Sequence, residues 1–425
     1  MRWITRIAAA ALCAALQACV TPPLAGPPAP PTAAVAEARA PVTILISIDG
    51  FRPDYRTRGV TPNLDALAAR GISAAMRPSF PSKTFPNHWT LVTGLRPDRS
   101  GIVSNSMEDA GRPGMKFTMA DSQDPFWWDA AEPIWVTAER GGVRSATMFW
   151  PGSNVAWGGT KAKDKKSVGG VRAEDWWPYD IEVPAAQRVA GALDWLRRPA
   201  ATRPKFLTLY FDTVDSAGHS YGPDAPETTA AVADVDARIG ELVAGLRALG
   251  QPANLVIVAD HGMAPTSPER TIAMDSVANP ADYRQFESGP FATFYPVEGH
   301  QAALEKALLG KHAHFECWRK GEIPARLRYG TNPRIPPYFC LAETGWLLAK
   351  TAPKEGGDRG NHGYDNAAPE MLALFIASGP AIKPLGTLAP FDNVDVAPLL
   401  RDLLGLPASK DLDGDDAPFR AALGK

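Results

Sequence analysis

The run VTILISI at residues 42–48 is apolar and β-branched almost throughout. A strand with one wet face alternates apolar and polar side chains. A run without alternation belongs to a strand buried on both faces, as in a parallel sheet covered by helices. Similar runs recur at Val143–Phe149, Lys205–Phe211, Leu255–Ala259 and Leu372–Ala377. Between them lie helical patterns: Thr61-Pro62 opens a helix closed by Gly71, and Pro226–Leu249 carries Val232, Val235, Ile239, Leu242 and Leu246 at the 3.6 period. Strands alternating with amphipathic helices predict an α/β fold, a mostly parallel sheet with helices on both faces. With 425 residues and 45% apolar content the chain suits one large domain with insertions, or two domains. A net charge of −2 argues against a nucleic-acid footprint, and no stable nucleic-acid binding is expected.

Residues 1–19 place Arg2 and Arg6 before an apolar stretch from Ile7 to Leu16, the layout of a secretory signal. The stretch ends Leu16-Gln17-Ala18-Cys19, similar to a bacterial lipobox, so Cys19 is a candidate for lipidation and membrane anchoring; a plain cleaved signal is the alternative. Residues 20–41 are Pro- and Ala-rich and read as a tether. Export to the envelope of a bacterium, as a periplasmic or outer-membrane-anchored protein, is the expectation. In that oxidising compartment Cys317 and Cys340 are expected to form a disulfide. The remainder, 42–425, reads as a single catalytic domain. Two stretches break its rhythm, near 153–179 and 312–345. Both read as insertions above the C-terminal ends of the strands, since neither has enough apolar material for its own core.

Ligands of open α/β sheets gather at the carboxyl ends of the strands. The first strand ends in Asp49-Gly50, the KFLTLYF run leads to Asp212 through His219, and LVIVA leads to Asp260-His261-Gly262. Asn361-His362-Gly363 precedes the last buried run. A lone aspartate after a strand is usually a turn former or helix cap. Several such sites along one sheet edge supply six nitrogen and oxygen ligands, enough for two divalent metals, and imidazole with carboxylate suits zinc better than magnesium. Asp215 and His219 are four apart, which a helical turn puts on one face.

The segments ISIDGFRPDY, PSKTFPNHWTLVTG, GIVSN, VDSAGHSYGP, ADHGM and GNHGYDN resemble, in order, the nucleotide pyrophosphatase/phosphodiesterase family of the alkaline phosphatase superfamily. The resemblance implies an alkaline-phosphatase-like fold and two Zn2+ per chain. By motif, Asp215, His219 and His362 would hold one zinc. Asp49, Asp260 and His261 would hold the other, with the Thr84 hydroxyl beside it. Asp212 falls outside the family's Asp-x-x-x-His spacing and receives no ligand role.

Thr84 begins a helix, where a hydroxyl often only caps the backbone. The resemblance makes it the nucleophile, with the Phe85 amide and Asn105 gripping a phosphate oxygen. No Cys-x-Pro-x-Arg segment surrounds residue 84, which argues against formylglycine sulfatase chemistry, and an asparagine contact leaves room for the second substituent of a diester. Phe85 is one candidate wall for a nucleobase; Trp176 or Trp177 is the other, with core packing as their alternative role. The leading reading is a phosphodiesterase releasing nucleoside monophosphates from nucleotide pyrophosphates and diesters through a covalent threonine intermediate. A choline-phosphate-type headgroup phosphodiesterase and a non-catalytic metal-binding envelope protein are the alternatives.

Overall fold

The computed structural model describes residues 38–161, 167–352 and 357–425. The leader, Cys19 and nearly all of the tether lie outside these residues. The strands of the main sheet are β1 (Val42–Ile48), β2 (Ile72–Arg77), β3 (Ser145–Met148), β4 (Asp175–Trp177), β5 (Phe206–Phe211), β6 (Ala253–Val258) and β7 (Ala373–Ser378). All seven residues of β1 are buried, as its unalternating sequence requires. The sheet runs β2-β7-β6-β1-β5-β3-β4, with short pieces at 386–387 and 391–392 completing nine strands on the β2 side. β1 is parallel to both neighbours, while β7 is antiparallel to β6 and β2. The mostly parallel α/β sheet expected from the alternating pattern is present, with one reversed strand that burial alone does not reveal.

Register explains why the chemistry collects at one edge. Ser47 pairs with Val258 and Ile48 with Phe211, so the residues leaving β1, β5 and β6 emerge side by side. The reversed β7 begins at that same edge, which lets the loop before it carry His362 to the others.

Five helices matter here: α1 (Pro62–Ala69), α2 (Thr84–Thr93), α3 (Ala185–Arg197), α4 (Thr213–Tyr221) and α5 (Pro226–Ala248). α1, α3 and α5 pack together, and α2 packs against helices at 134–140 and 396–403. The buried positions of α5 include Val232, Val235, Ile239, Leu242 and Leu246, the stripe its periodicity predicts. Buried Asp236 on the same face accepts from the Asn63 and Leu64 amides, closing the first turn of α1 that no local side chain caps.

The two irregular stretches differ from each other. Residues 153–179 end in β4, so they return to the sheet as its edge strand. The 312–345 stretch is part of a five-stranded antiparallel sheet, in the order 283–287, 291–296, 338–342, 315–319, 310–312. That sheet has a core of its own, with Met274, Tyr283, Phe294, Leu304, Leu308 and Tyr338 buried together. The apolar material missing from 312–345 comes from residues preceding it. Cys317 and Cys340 are directly paired across two of these strands and form a disulfide. Among the described residues no helix is long and apolar enough to cross a membrane.

Candidate active site

α2 begins immediately after a strand-to-helix connection, and Thr84 is its first residue. Its cap residue is Lys83, whose side chain makes no capping bond; Asn105 instead meets the first turn from outside the helix. Among the described residues the Thr84 hydroxyl bonds no backbone group; it lies 3.3 Å from His261 Nε2. Four chain segments bring the remaining groups to it. Asp49 follows β1, Asp260 and His261 follow β6, Asp215 and His219 lie on α4, and His362 follows the short bridge of Gly360–Asn361 to Ala264–Pro265.

The three histidines share one arrangement. Each points Nδ1 at a backbone carbonyl: His219 at Gly360, His261 at Gly262 and His362 at Ser82, at 2.9, 2.9 and 2.8 Å. A carbonyl only accepts, so Nδ1 carries the proton and Nε2 keeps its lone pair. Those lone pairs face carboxylate oxygens. His261 Nε2 is 2.9 Å from Asp260 and 3.4 Å from Asp49, His219 Nε2 is 3.5 Å from Asp215, and His362 Nε2 is 3.7 Å from Asp215. Lone pairs aimed at anions require a cation between them. Asp49 Oδ1, Asp215 Oδ1 and Asp260 Oδ2 are buried without hydrogen-bond partners, which is the same demand seen from the other side. The residues present therefore fit a metal pair, and fixed outer partners are how such imidazoles are oriented.

Electrostatics differ from group to group: against the effect of burial, His261 and His88 hold Asp260 well below its usual range, and Asp358 and Asp215 raise His219. Burial, then the charges of Asp260 and Asp215, push the Asp49 carboxyl well above its usual range. Burial also raises Asp215. Burial, with His261 and Lys83 nearby, holds His362 well below the usual imidazole value, so it stays neutral and able to coordinate. Three buried carboxylates this close do not all ionise unaided; divalent charge bound there would supply the compensation.

The ligand-like atoms of Asp49, His88 and Asp260 also lie within 4.8 Å of one another, as do those of Asp215, His261 and His362. His88 is already spent. Its Nδ1 donates to the Thr84 carbonyl at 2.9 Å, and its Nε2 accepts from the Ser47 hydroxyl at 2.8 Å. It ties the first turn of α2 to β1 and sits beside Asp260 as an orienting group. The sequence motif contained this histidine, but nothing in its spacing distinguished a support from a ligand. Tyr210 was also missed: its hydroxyl donates to Asp49 Oδ2 at 2.7 Å.

These groups lie at the floor of a cavity of about 720 Å³ lined by Thr84, Phe85, Asn105, Tyr179, Tyr210 and His362 among others. That is the size of sites that enclose a nucleotide-sized ligand. Phe85 and Asn105 are brought together as the motifs imply, with one difference: the Phe85 N–H donates to Asn105 Oδ1 at 2.9 Å. The amide of Asn105 is thus the donor free to meet a phosphate, and the Phe85 N–H must exchange partners to join it.

The aromatic wall corrects the sequence reading. Trp176 and Trp177 do not line the cavity. They sit on edge strand β4, where Arg172 covers Trp176 at 4.1 Å and Trp177 meets Trp195 edge-on at 6.0 Å. The strand ends there, and Pro178 and Tyr179 turn into the cavity instead. Tyr179 donates to Asp212 Oδ2 at 2.7 Å, while Arg188 donates to Asp212 Oδ1 at 2.7 Å. Asp212 is accordingly no metal ligand: both oxygens hold the aromatic wall.

The pattern of type I phosphodiesterase/nucleotide pyrophosphatase matches residues 43–365, a span that contains every one of these groups. The chain belongs to that family. As a member of the type I phosphodiesterase/nucleotide pyrophosphatase family it is an enzyme, a phosphoric diester hydrolase. It is 38% identical over 385 residues to an uncharacterised pyrophosphatase/phosphodiesterase of Schizosaccharomyces pombe, covering 86% of this chain and 77% of that one. It is 36% identical over 370 residues to the bis(5'-adenosyl)-triphosphatase enpp4 of Xenopus laevis, covering 86% and 78%. Family member 1 of Rattus norvegicus is 36% identical over 388 residues, but the match spans only 41% of that longer protein. Among solved structures, an inactive variant of murine ectonucleotide pyrophosphatase/phosphodiesterase 5 in complex with AMP superimposes with a TM-score of 0.84 at 32% identity, covering 90% of this chain and all of that one.

Proposed function

We propose that this enzyme hydrolyses nucleotide pyrophosphates and phosphodiesters to nucleoside monophosphates, with Thr84 as nucleophile and two zinc ions held by Asp49, Asp260, His261, Asp215, His219 and His362. The observation that carries the reading is the convergence of three imidazole lone pairs and three unpartnered carboxylate oxygens beside a hydroxyl that caps nothing. The AMP complex of the murine relative and the dinucleoside polyphosphate named for the amphibian one support a nucleotide as substrate.

Divalent cations bound there would favour the Thr84 alkoxide and stabilise the leaving oxygen. The chain's own residues do the rest. His88 holds the Thr84 backbone while His261 faces its hydroxyl, so the attacking oxygen is fixed at the cavity floor. The Asn105 amide, joined by the Phe85 N–H at the start of α2, receives a non-bridging phosphate oxygen. Phe85 and Tyr179 enclose the base. In-line attack forms the Thr84–phosphorus bond and expels the first product; water then cleaves that bond, and Thr84 regains its proton.

A choline-phosphate reading needs an ionised carboxylate beside the aromatic wall to meet a quaternary amine. Asp212 occupies that position with both oxygens engaged by Tyr179 and Arg188, which favours a neutral base. Purified enzyme assayed with nitrophenyl esters of a nucleoside monophosphate, of phosphocholine and of phosphate separates the readings: the nucleotide ester should be preferred by a wide margin. Preference for the phosphocholine ester, or no turnover of the nucleotide ester, overturns the substrate assignment.

We further infer export through the leader, with Cys19 as the anchoring residue. Cys19→Ser should move the enzyme from the membrane fraction to the soluble envelope fraction and leave hydrolysis intact; an unchanged distribution contradicts the anchor.

A further inference from the structure

A second concavity of about 240 Å³ shares no lining residue with the catalytic cavity, and its wall is dominated by guanidinium groups: Arg77, Arg96, Arg326 and Arg328 surround a single lining carboxylate, Asp392. The carboxylates are already engaged. Asp392 takes Arg77 on one oxygen at 2.8 Å and Arg96 on the other at 3.0 Å. Behind the wall, Asp365 takes Arg326 on both oxygens, at 2.8 and 2.6 Å. Asp413, near Arg96, is taken by Arg99 and by the Arg96 backbone N–H. Among the described residues the Arg328 side chain has no hydrogen bond or ion pair.

Arg328 is also held where its side chain is disfavoured. It is one of three described non-glycine residues with positive φ, at φ 49 and ψ 45, the left-handed region that glycine enters freely. A long cation kept in a strained backbone position, at a concavity with no carboxylate left for it, is a site shaped for an anion the chain itself does not supply.

The geometry points to this cavity as a binding site for a small, multiply charged oxyanion of the phosphate class. Its volume falls below the roughly 300–1,000 Å³ of sites that enclose drug-sized ligands, so a phosphate group fits and a whole nucleotide does not. Planar guanidiniums match phosphate oxygens in pairs. The wall is also joined to the catalytic segments. Residues 77–80 lead into α2 and Thr84, and Asn366 lies four residues after His362. The Asn366 side chain donates to the Pro78 carbonyl at 2.8 Å, bridging the two.

The test is a calorimetric titration of inorganic phosphate into the full, zinc-loaded enzyme at low ionic strength, with saturating AMP covering the catalytic cavity. One phosphate per chain should still bind. Arg328→Gly and Arg77→Gln should each weaken it about tenfold or more, the loss of one charge-assisted pair. Arg328→Gly should keep its hydrolysis rate, and its thermal midpoint should hold or rise because glycine relieves the left-handed backbone. Capture by phosphatidic acid vesicles, lost in the same two variants, identifies a lipid phosphomonoester as the source of the phosphate group; binding of phosphate without capture identifies the free ion. Absence of both, or binding indifferent to both substitutions, overturns the site.

Discussion

Thr84 Oγ1 and His261 Nε2 lie 3.3 Å apart, and His261 is fixed in that orientation by its bond to the Gly262 carbonyl. A hydroxyl and an imidazole lone pair held together in a buried pocket lined by unpartnered carboxylates form a site incomplete without metal.

Chelation should therefore abolish hydrolysis, and zinc should restore it better than magnesium, because half of the six proposed protein ligands are imidazoles. Elemental analysis of active enzyme should find two zinc ions per chain. One or none per active chain contradicts the two-metal assignment.

Substitution of Tyr179 should separate its ring from its hydroxyl. Tyr179→Ala removes a stacking surface worth roughly 1–3 kcal/mol per base, so KM for a nucleotide ester should rise about tenfold or more with a smaller change in kcat. Tyr179→Phe keeps the ring and loses only the bond to Asp212, and should fall between wild type and Tyr179→Ala. Unchanged KM in both variants removes Tyr179 from the substrate wall. Trp177→Ala, on the edge strand, should leave KM unaltered.

Much of this site was legible before the fold was known, and the limits of that legibility are physical. The unalternating runs announced buried strands. The ends of those runs offered Asp49, the stretch from Asp212 to His219, Asp260, His261 and His362, and the family resemblance chose Asp215 and His219 within that stretch; the fold brings these six to one edge. Parallel register aligns the ends of β1, β5 and β6, while His362 arrives on the loop before the reversed β7. The tryptophans failed because Trp177 packs against Trp195 of α3 while Trp176 lies under Arg172, and only the chain direction after Trp177 shows that Tyr179 enters the cavity. His88 and Tyr210 were invisible for a related reason: orienting partners have no spacing rule and are defined by what they touch. The second core escaped because 312–345 was weighed alone, whereas its strands pair with residues from 283 onward.

Glu287 should leave a signature in stability against pH. Burial lifts its carboxyl to about 7, against 4.5 as the ordinary value, with Ser104 and Lys83 pulling the other way. The folded state therefore holds the proton longer, so its stabilising contribution is full below about pH 4.5 and is lost as pH rises through 7. Glu287→Gln cannot titrate. Between pH 5 and 8 wild type should lose up to about 3 kcal/mol relative to this variant, read from denaturant midpoints. A difference that does not vary with pH contradicts the assignment.

The Cys317–Cys340 disulfide closes a sequence separation of 23 residues. In the loop-entropy account such a crosslink contributes about 3 kcal/mol. Cys317→Ser with Cys340→Ser should lower the unfolding free energy by about that amount while metal content and hydrolysis persist at 25 °C. Loss of metal from a folded double variant would show that the second sheet supports the site directly.

The central claim is that Thr84 itself attacks phosphorus. Thr84→Ala retains all six proposed side-chain ligands and should keep its metals while turnover falls by several orders of magnitude; Thr84→Ser should keep appreciable activity. The most direct measurement is the configuration of the product from a chiral phosphorothioate diester. Two successive in-line displacements, by Thr84 and then by water, predict overall retention. Inversion would make water the direct nucleophile and contradict the account.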